Sequence, residues 1–154
     1  MSEIDPGDVR EVRELIAFCI GDQDFCVDII QVREIRGFAF ATPLPHTPSF
    51  VCGVINLRGT VLPIVDLASR LGFGRTEPTA RSVIIVVMVQ GQMMGLLVDA
   101  VSDILTVTDD LVQPTPEVSS ELARSFVRGV MAIDGRMISQ LSLDDVLPRT
   151  EMAA

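Results

Sequence analysis

A chain of 154 residues, 48% hydrophobic and 21% charged, has the composition of a folded protein and the length for one ordinary domain or two very small ones, which excludes a large multidomain enzyme. Its formal charge of −9, with 12 basic residues that are all Arg and no Tyr or Trp, weighs against nucleic acid, because phosphate binding depends on clustered cations and base stacking on aromatic platforms.

Residues 1–12 are acidic, contain Pro6 and Gly7 and lack periodicity, so a mobile tail is expected there. From Arg13 the texture changes. Leu15 to Ile20 and Phe25 to Ile30 are short apolar runs around Gly21-Asp22-Gln23-Asp24, the pattern of a hairpin. Thr42 to Pro48 carries three prolines, Pro43, Pro45 and Pro48, and predicts an extended loop, with Pro48 opening a short turn before Phe50. A second hairpin follows at Val83 to Val89, Gln90-Gly91-Gln92 and Met93 to Val98, its first run apolar enough for burial on both faces. No apolar run approaches the roughly 20 residues of a membrane-spanning helix, and the first residues lack a secretory leader, so the expected location is the cytoplasm. Cys19, Cys26 and Cys52 are odd in number and set among apolar residues, which suits reduced, buried thiols.

The chain also repeats itself. Phe50 to Leu71 overlies Phe126 to Leu147 without a gap, with Phe50/Phe126, Gly53/Gly129, Gly59/Gly135, Leu67/Leu143 and Leu71/Leu147 among the identities. Upstream, Val32-Arg33-Glu34-Ile35 matches Val101-Ser102-Asp103-Ile104. Each copy reads strand, turn, strand, connection, strand, tight turn, strand, short helix. Gly59 and Gly135 supply the positive φ of the tight turns, and Asp66 and Ser142 stand as N-caps of helices barely two turns long. Units of about 70 residues made of short strands point to small barrels. The expected architecture is all-β with a few short helices, two five-stranded SH3-like barrels packed together, with subdomains at about 13–80 and 81–149.

Catalytic chemistry has little to work with. His46, the only histidine, lies in the proline-rich loop, where a solvated side chain is the ordinary finding. The cysteines show no C-x-x-C spacing, the acidic pairs Asp109-Asp110 and Asp144-Asp145 suit helix starts better than a calcium loop, and no phosphate loop or dinucleotide fingerprint occurs. No enzyme activity, cofactor or metal is expected.

The strings VREIRG (Val32 to Gly37), TPLPHTPSFVCGVINLRGTVLPIVDL (Thr42 to Leu67) and VDAVSDIL (Val98 to Leu105) resemble the CheW family, the coupling proteins of bacterial chemotaxis. The likeness spans about residues 13–148. It implies a noncatalytic adaptor that connects the cytoplasmic tips of methyl-accepting chemoreceptors to the regulatory domain of the histidine kinase CheA, located at membrane-associated receptor arrays without entering the membrane. Carried over by position, the resemblance implies that Val32, Glu34 and Arg58 fall where family members contact receptor or influence coupling. Ile30 joins them as an apolar contact, with Val98 and Val101 as further candidates that suit the core better. An internal role for Glu34, paired with Arg36 or Arg58, competes with recognition. The kinase-binding face is left open. Asn56-Leu57-Arg58-Gly59 becomes Ala132-Ile133-Asp134-Gly135 in the second copy, so the turn is kept while its charge is inverted. The competing readings are an adaptor of another pathway, such as surface motility or second-messenger control, and a barrel that binds a small ligand.

Overall fold

The computed structural model describes residues 12–114 and 125–147. The expected tail at 1–12 lies outside them except for Val12, which already opens the first strand. Among the described residues the strands and short helices run in the order β1 (Val12–Ile20), β2 (Gln23–Asp28), β3 (Val32–Gly37), β4 (Val51–Leu57), β5 (Thr60–Asp66), α1 (Leu67–Arg70), β6 (Val83–Val89), β7 (Gln92–Val98), β8 (Ala100–Thr108), β9 (Val127–Ile133), β10 (Arg136–Leu141) and α2 (Leu143–Val146). One difference from the expected elements is local. Ile29 and Ile30 leave the second strand for a 3-10 turn, because the Asp28 carboxylate accepts from the Ile30 N–H at 3.1 Å and turns the chain.

Three tight turns use the same device. Arg58-Gly59, Gln90-Gly91 and Asp134-Gly135 all have positive φ at both residues, the conformation whose twist matches that of the flanking strands. Asn56 Oδ1 accepts from the Gly59 N–H at 2.8 Å and adds a side-chain clamp to the first of them.

The strands form two five-stranded sheets, ordered β8-β1-β2-β10-β9 and β3-β6-β7-β5-β4. These sheets do not coincide with the two repeats, which corrects the division at about residue 80. Counting strands within each repeat, both sheets have the order third, first, second, fifth, fourth. In each, the first and second strands come from one repeat and the other three from its partner. The leading hairpins β1-β2 and β6-β7 have changed places. Similar repeats leave this choice open at the level of sequence, since either hairpin presents the same alternation to either barrel.

Exchange explains the burial. Along β1, Leu15 and Ala17 point into the barrel of their own sheet while Ile16, Phe18 and Ile20 point into a core between the sheets. The β6 strand does the same, with Ile84 and Val86 inside its barrel and Ile85, Val87 and Val89 in the shared core. Among the described residues the shared core holds 20 buried side chains, against seven and six inside the two barrels. Since each buried aliphatic side chain contributes roughly 1.5–3 kcal/mol, most of the apolar stabilisation lies between the sheets, and the barrels fold as one unit.

Gly53 and Gly129, identical across the repeats, have a shared task. A bridging segment crosses each of them: Thr42 exchanges both backbone hydrogen bonds with Val54, and Gln113 does so with Val130. A Cβ at Gly53 would lie 2.1 Å from the Thr42 carbonyl oxygen, and one at Gly129 would lie 2.6 Å from that of Gln113.

Candidate functional site

Strands β3 and β4 are the two edges of their sheet. Glu34 on β3 reaches Arg58, at the turn after β4, with 2.5 Å between Oε1 and Nη2, and accepts from Arg36 Nη1 at 3.4 Å. The pair therefore ties the ends of the sheet together and closes the barrel. The hydrogen bond from Arg58, followed by the charges of Arg58 and Arg36, holds the Glu34 carboxyl below its ordinary pKa against the opposing effect of partial burial. Arg58 is raised by the same bond. Both partners keep contact with solvent, with side-chain exposures of 69% for Arg58 and 29% for Glu34.

The second barrel is closed by an equivalent contact that the sequence comparison does not reveal. Asp103, the repeat mate of Glu34, lies 3.4 Å from Arg136 Nη1, and Arg136 also meets Asp24 at 3.2 Å. The closing arginine has moved from the turn to the strand behind it, leaving Asp134 exposed at the turn. Its sequence signal was present in the reversed order of charge, Arg58-Gly59-Thr60 against Asp134-Gly135-Arg136.

Of the other candidates, Ile30 is 76% exposed on its 3-10 turn. Val32 and its mate Val101 are half-buried against the shared core at the starts of the edge strands β3 and β8. Val98, expected as a further contact candidate, is instead buried in the shared core on β7, which has a hydrogen-bonded neighbour on either side. The structure thus joins Glu34 to Arg58, places Ile30 on the surface, and turns Val32 and Val101 partly inward. His46 is exposed in the turn of the proline-rich loop.

Sequence reasoning missed a groove beside the Glu34–Arg58 pair. It has a volume of about 450 Å³, and its lining includes Arg36, Phe40, Val54, Asn56 and Val61. Phe40 and Val61 are 88% and 67% exposed, and Phe38 supports Phe40 edge-on at 4.9 Å between ring centroids. Arg36 Nε is buried without an acceptor among the described residues. Met137, the repeat mate of Val61, is also exposed, as is Leu111, which stands two residues before the bridging Gln113 as Phe40 stands before Thr42. Each barrel therefore offers apolar side chains at matching places, and ion pairs lie on both barrels: Glu34 with Arg36 and Arg58 on one, Asp103 with Arg136 and Asp109 with Arg13 on the other. Exposed large apolar groups set in a polar rim are a mark of protein contact surfaces. A larger hollow of about 590 Å³ near the β1–β2 turn mixes Arg75 and Arg81 with Asp22, Glu77 and Asp99, so it shows no preference for a ligand charge.

The CheW-like domain family model matches residues 14–151. The chain belongs to the CheW-like family. It is 62% identical over 142 residues to the probable chemotaxis protein CheW of Rhizobium etli, covering 92% of both chains, and 34% identical over 141 residues to chemotaxis protein CheW of Klebsiella aerogenes, covering 92% of this chain and 85% of that one. The crystal structure of the scaffolding protein TtCheW from Thermoanaerobacter tengcongensis superposes with a TM-score of 0.82 at 30% identity, covering 96% of this chain and 95% of that chain. No helix among the described residues is long and apolar enough to cross a membrane. The CheW-like fold thus consists here of two barrels with exchanged hairpins.

Proposed function

We propose that this CheW-like chain is a noncatalytic cytoplasmic scaffold that couples the tips of methyl-accepting chemoreceptors to the regulatory domain of the histidine kinase CheA. The observation that carries this reading is the family match along the whole described fold, joined to a surface built for contact. A receptor tip is a helical hairpin, and a surface that receives a helix needs apolar contacts plus a few charges to fix its register. Ile30 and the outer edge of Val32 supply the first, and Glu34 with Arg58 the second. The apolar side chains at matching places on the two barrels, Phe40 with Val61 and Leu111 with Met137, are suited to the kinase side. Because the shared core fixes one barrel against the other, two partners are held in a set geometry without a moving part.

Mixing the purified chain with the kinase and a receptor signalling fragment from the same cell tests the proposal. A ternary complex that co-elutes supports it, and separate elution of the three overturns it.

A further inference from the structure

We infer that the chain has a second form, a dimer in which two copies exchange whole halves through the loop between α1 and β6. The inference rests on sheet connectivity and is independent of the partners proposed above. Within residues 12–71, the hairpin β1-β2, the strand β3 and the hairpin β4-β5 share no ladder with one another. The ladders that anchor them run to the other half: β1 to β8, β2 to β10, β3 to β6 and β5 to β7. The half 82–147 is built the same way, with its own ladders confined to β6-β7 and β9-β10. Each half is thus a set of pieces held in place by its partner, and every ladder between halves serves equally well between two copies.

One covalent joint decides which form is made. The loop 72–81 is exposed apart from Thr76, and its own bonds separate cleanly. Thr76 is tied back to Asp66 through its N–H at 2.8 Å and its hydroxyl at 2.5 Å. Thr79 is tied forward, with its N–H on Ser82 Oγ at 2.9 Å and its carbonyl accepting from the Ser82 N–H at 3.1 Å. Between them lie Glu77 and Pro78, and a residue before proline is biased toward extended backbone, the shape an opened joint adopts. The closed and exchanged forms have the same ladders and cores and differ at this joint, so their balance is set by chain concentration against the effective concentration of the tethered half. The exchanged dimer carries two copies of every docking face.

The test uses the full chain with a protease site inserted between Glu77 and Pro78, prepared with two different affinity tags. The two preparations are mixed in denaturant and refolded together at concentrations from about 1 μM to about 1 mM. The expected result is a dimer carrying both tags whose share rises with concentration, and which falls to monomer mass when the inserted site is cut while its halves stay paired. A dimer that keeps its mass after the cut is held by surface contact and overturns the inference, as does monomer alone at every concentration. If refolding yields aggregate, natively purified chains of the two tags are cut and incubated together. Recombined halves in native mass spectrometry support exchange, and persistence of the original pairs overturns it.

Discussion

Arg70 donates its Nε–H to the carbonyl of Val146 at 2.5 Å, and these two residues occupy the same position in the two repeats. The contact lies where the copies meet, one copy supplying the donor and the other the acceptor at the end of α2. Phe50 and Phe126, themselves repeat mates, both present a ring to the Arg70 guanidinium, at 4.5 and 4.6 Å from the ring centroids. A cation shared by two aromatic faces and a helix-end carbonyl fastens the two halves at their junction.

Replacing Arg70 by Met keeps much of the volume and removes the charge and the donor. The loss of two cation–π contacts and one hydrogen bond is expected to lower stability by about 1–3 kcal/mol, read as a lower denaturant midpoint with an unchanged slope. Arg70→Lys should recover only part of this, because an ammonium cannot present the planar, delocalised group that faces both rings.

The crossing over Gly53 gives a sharper contrast. Its φ of 142° and the nearby Thr42 backbone leave no room for a Cβ, whereas a Cβ at Gly95 would meet side-chain methyl groups of Ile64 and Ile84 at 2.7 Å. Gly53→Ala should destabilise by more than about 2 kcal/mol, and Gly95→Ala by less, since side chains can shift where a paired backbone cannot. Thermal melts of the two variants side by side check the order.

Burial pushes the Cys26 thiol up to about 12, with Asp28 adding to the effect. A thiolate is required for reaction, so Cys26 should remain unlabelled by a maleimide in the native protein at pH 8 and react fully once unfolded. Peptide mapping after labelling in each state provides the measurement.

Glu34 gives a pH dependence whose sign is fixed by the ion pair. Its carboxyl is depressed in the folded state, so the stability it contributes is present above the ordinary carboxyl value of 4.5 and disappears as pH falls through the lower folded value. Wild type should therefore exceed Glu34→Gln in stability at pH 6, with the difference closing as pH falls through the depressed folded value. Urea titrations of both proteins across that range test it.

What could be read from the residues follows from the range of each signal. Turns such as Arg58-Gly59 and Asp134-Gly135, the side-chain cap at Asp66, and the double-sided burial of Val83–Val89 are dictated by neighbours a few positions away, whereas Ser142 stands before its helix without a capping side-chain hydrogen bond. The repeat was visible because its identities are spaced evenly, and the family resemblance followed from the same strings. Hairpin exchange was hidden because the copies are alike where they pair, so the alternation of β1 fits both barrels. Val98 illustrates the same limit: an apolar residue at a strand end reads as core or contact until the order of strands is known. The groove at Phe40 and Val61 draws its lining from three segments that only the barrel brings together, and the move of the closing arginine from Arg58 to Arg136 becomes meaningful only when Asp103 is found beside it.

On the function proposed above, the barrel closed by Glu34 and Arg58 carries recognition while the equivalent turn at Asp134 does not. The most direct measurement compares wild type, Arg58→Asp and Asp134→Arg for retention of kinase and receptor fragment in one complex, with circular dichroism confirming that each variant is folded. A ternary complex is expected for wild type and Asp134→Arg, and at least a tenfold loss of affinity, about 1.4 kcal/mol, for Arg58→Asp. Equal losses in the two variants, or no complex with wild type, would contradict this expectation.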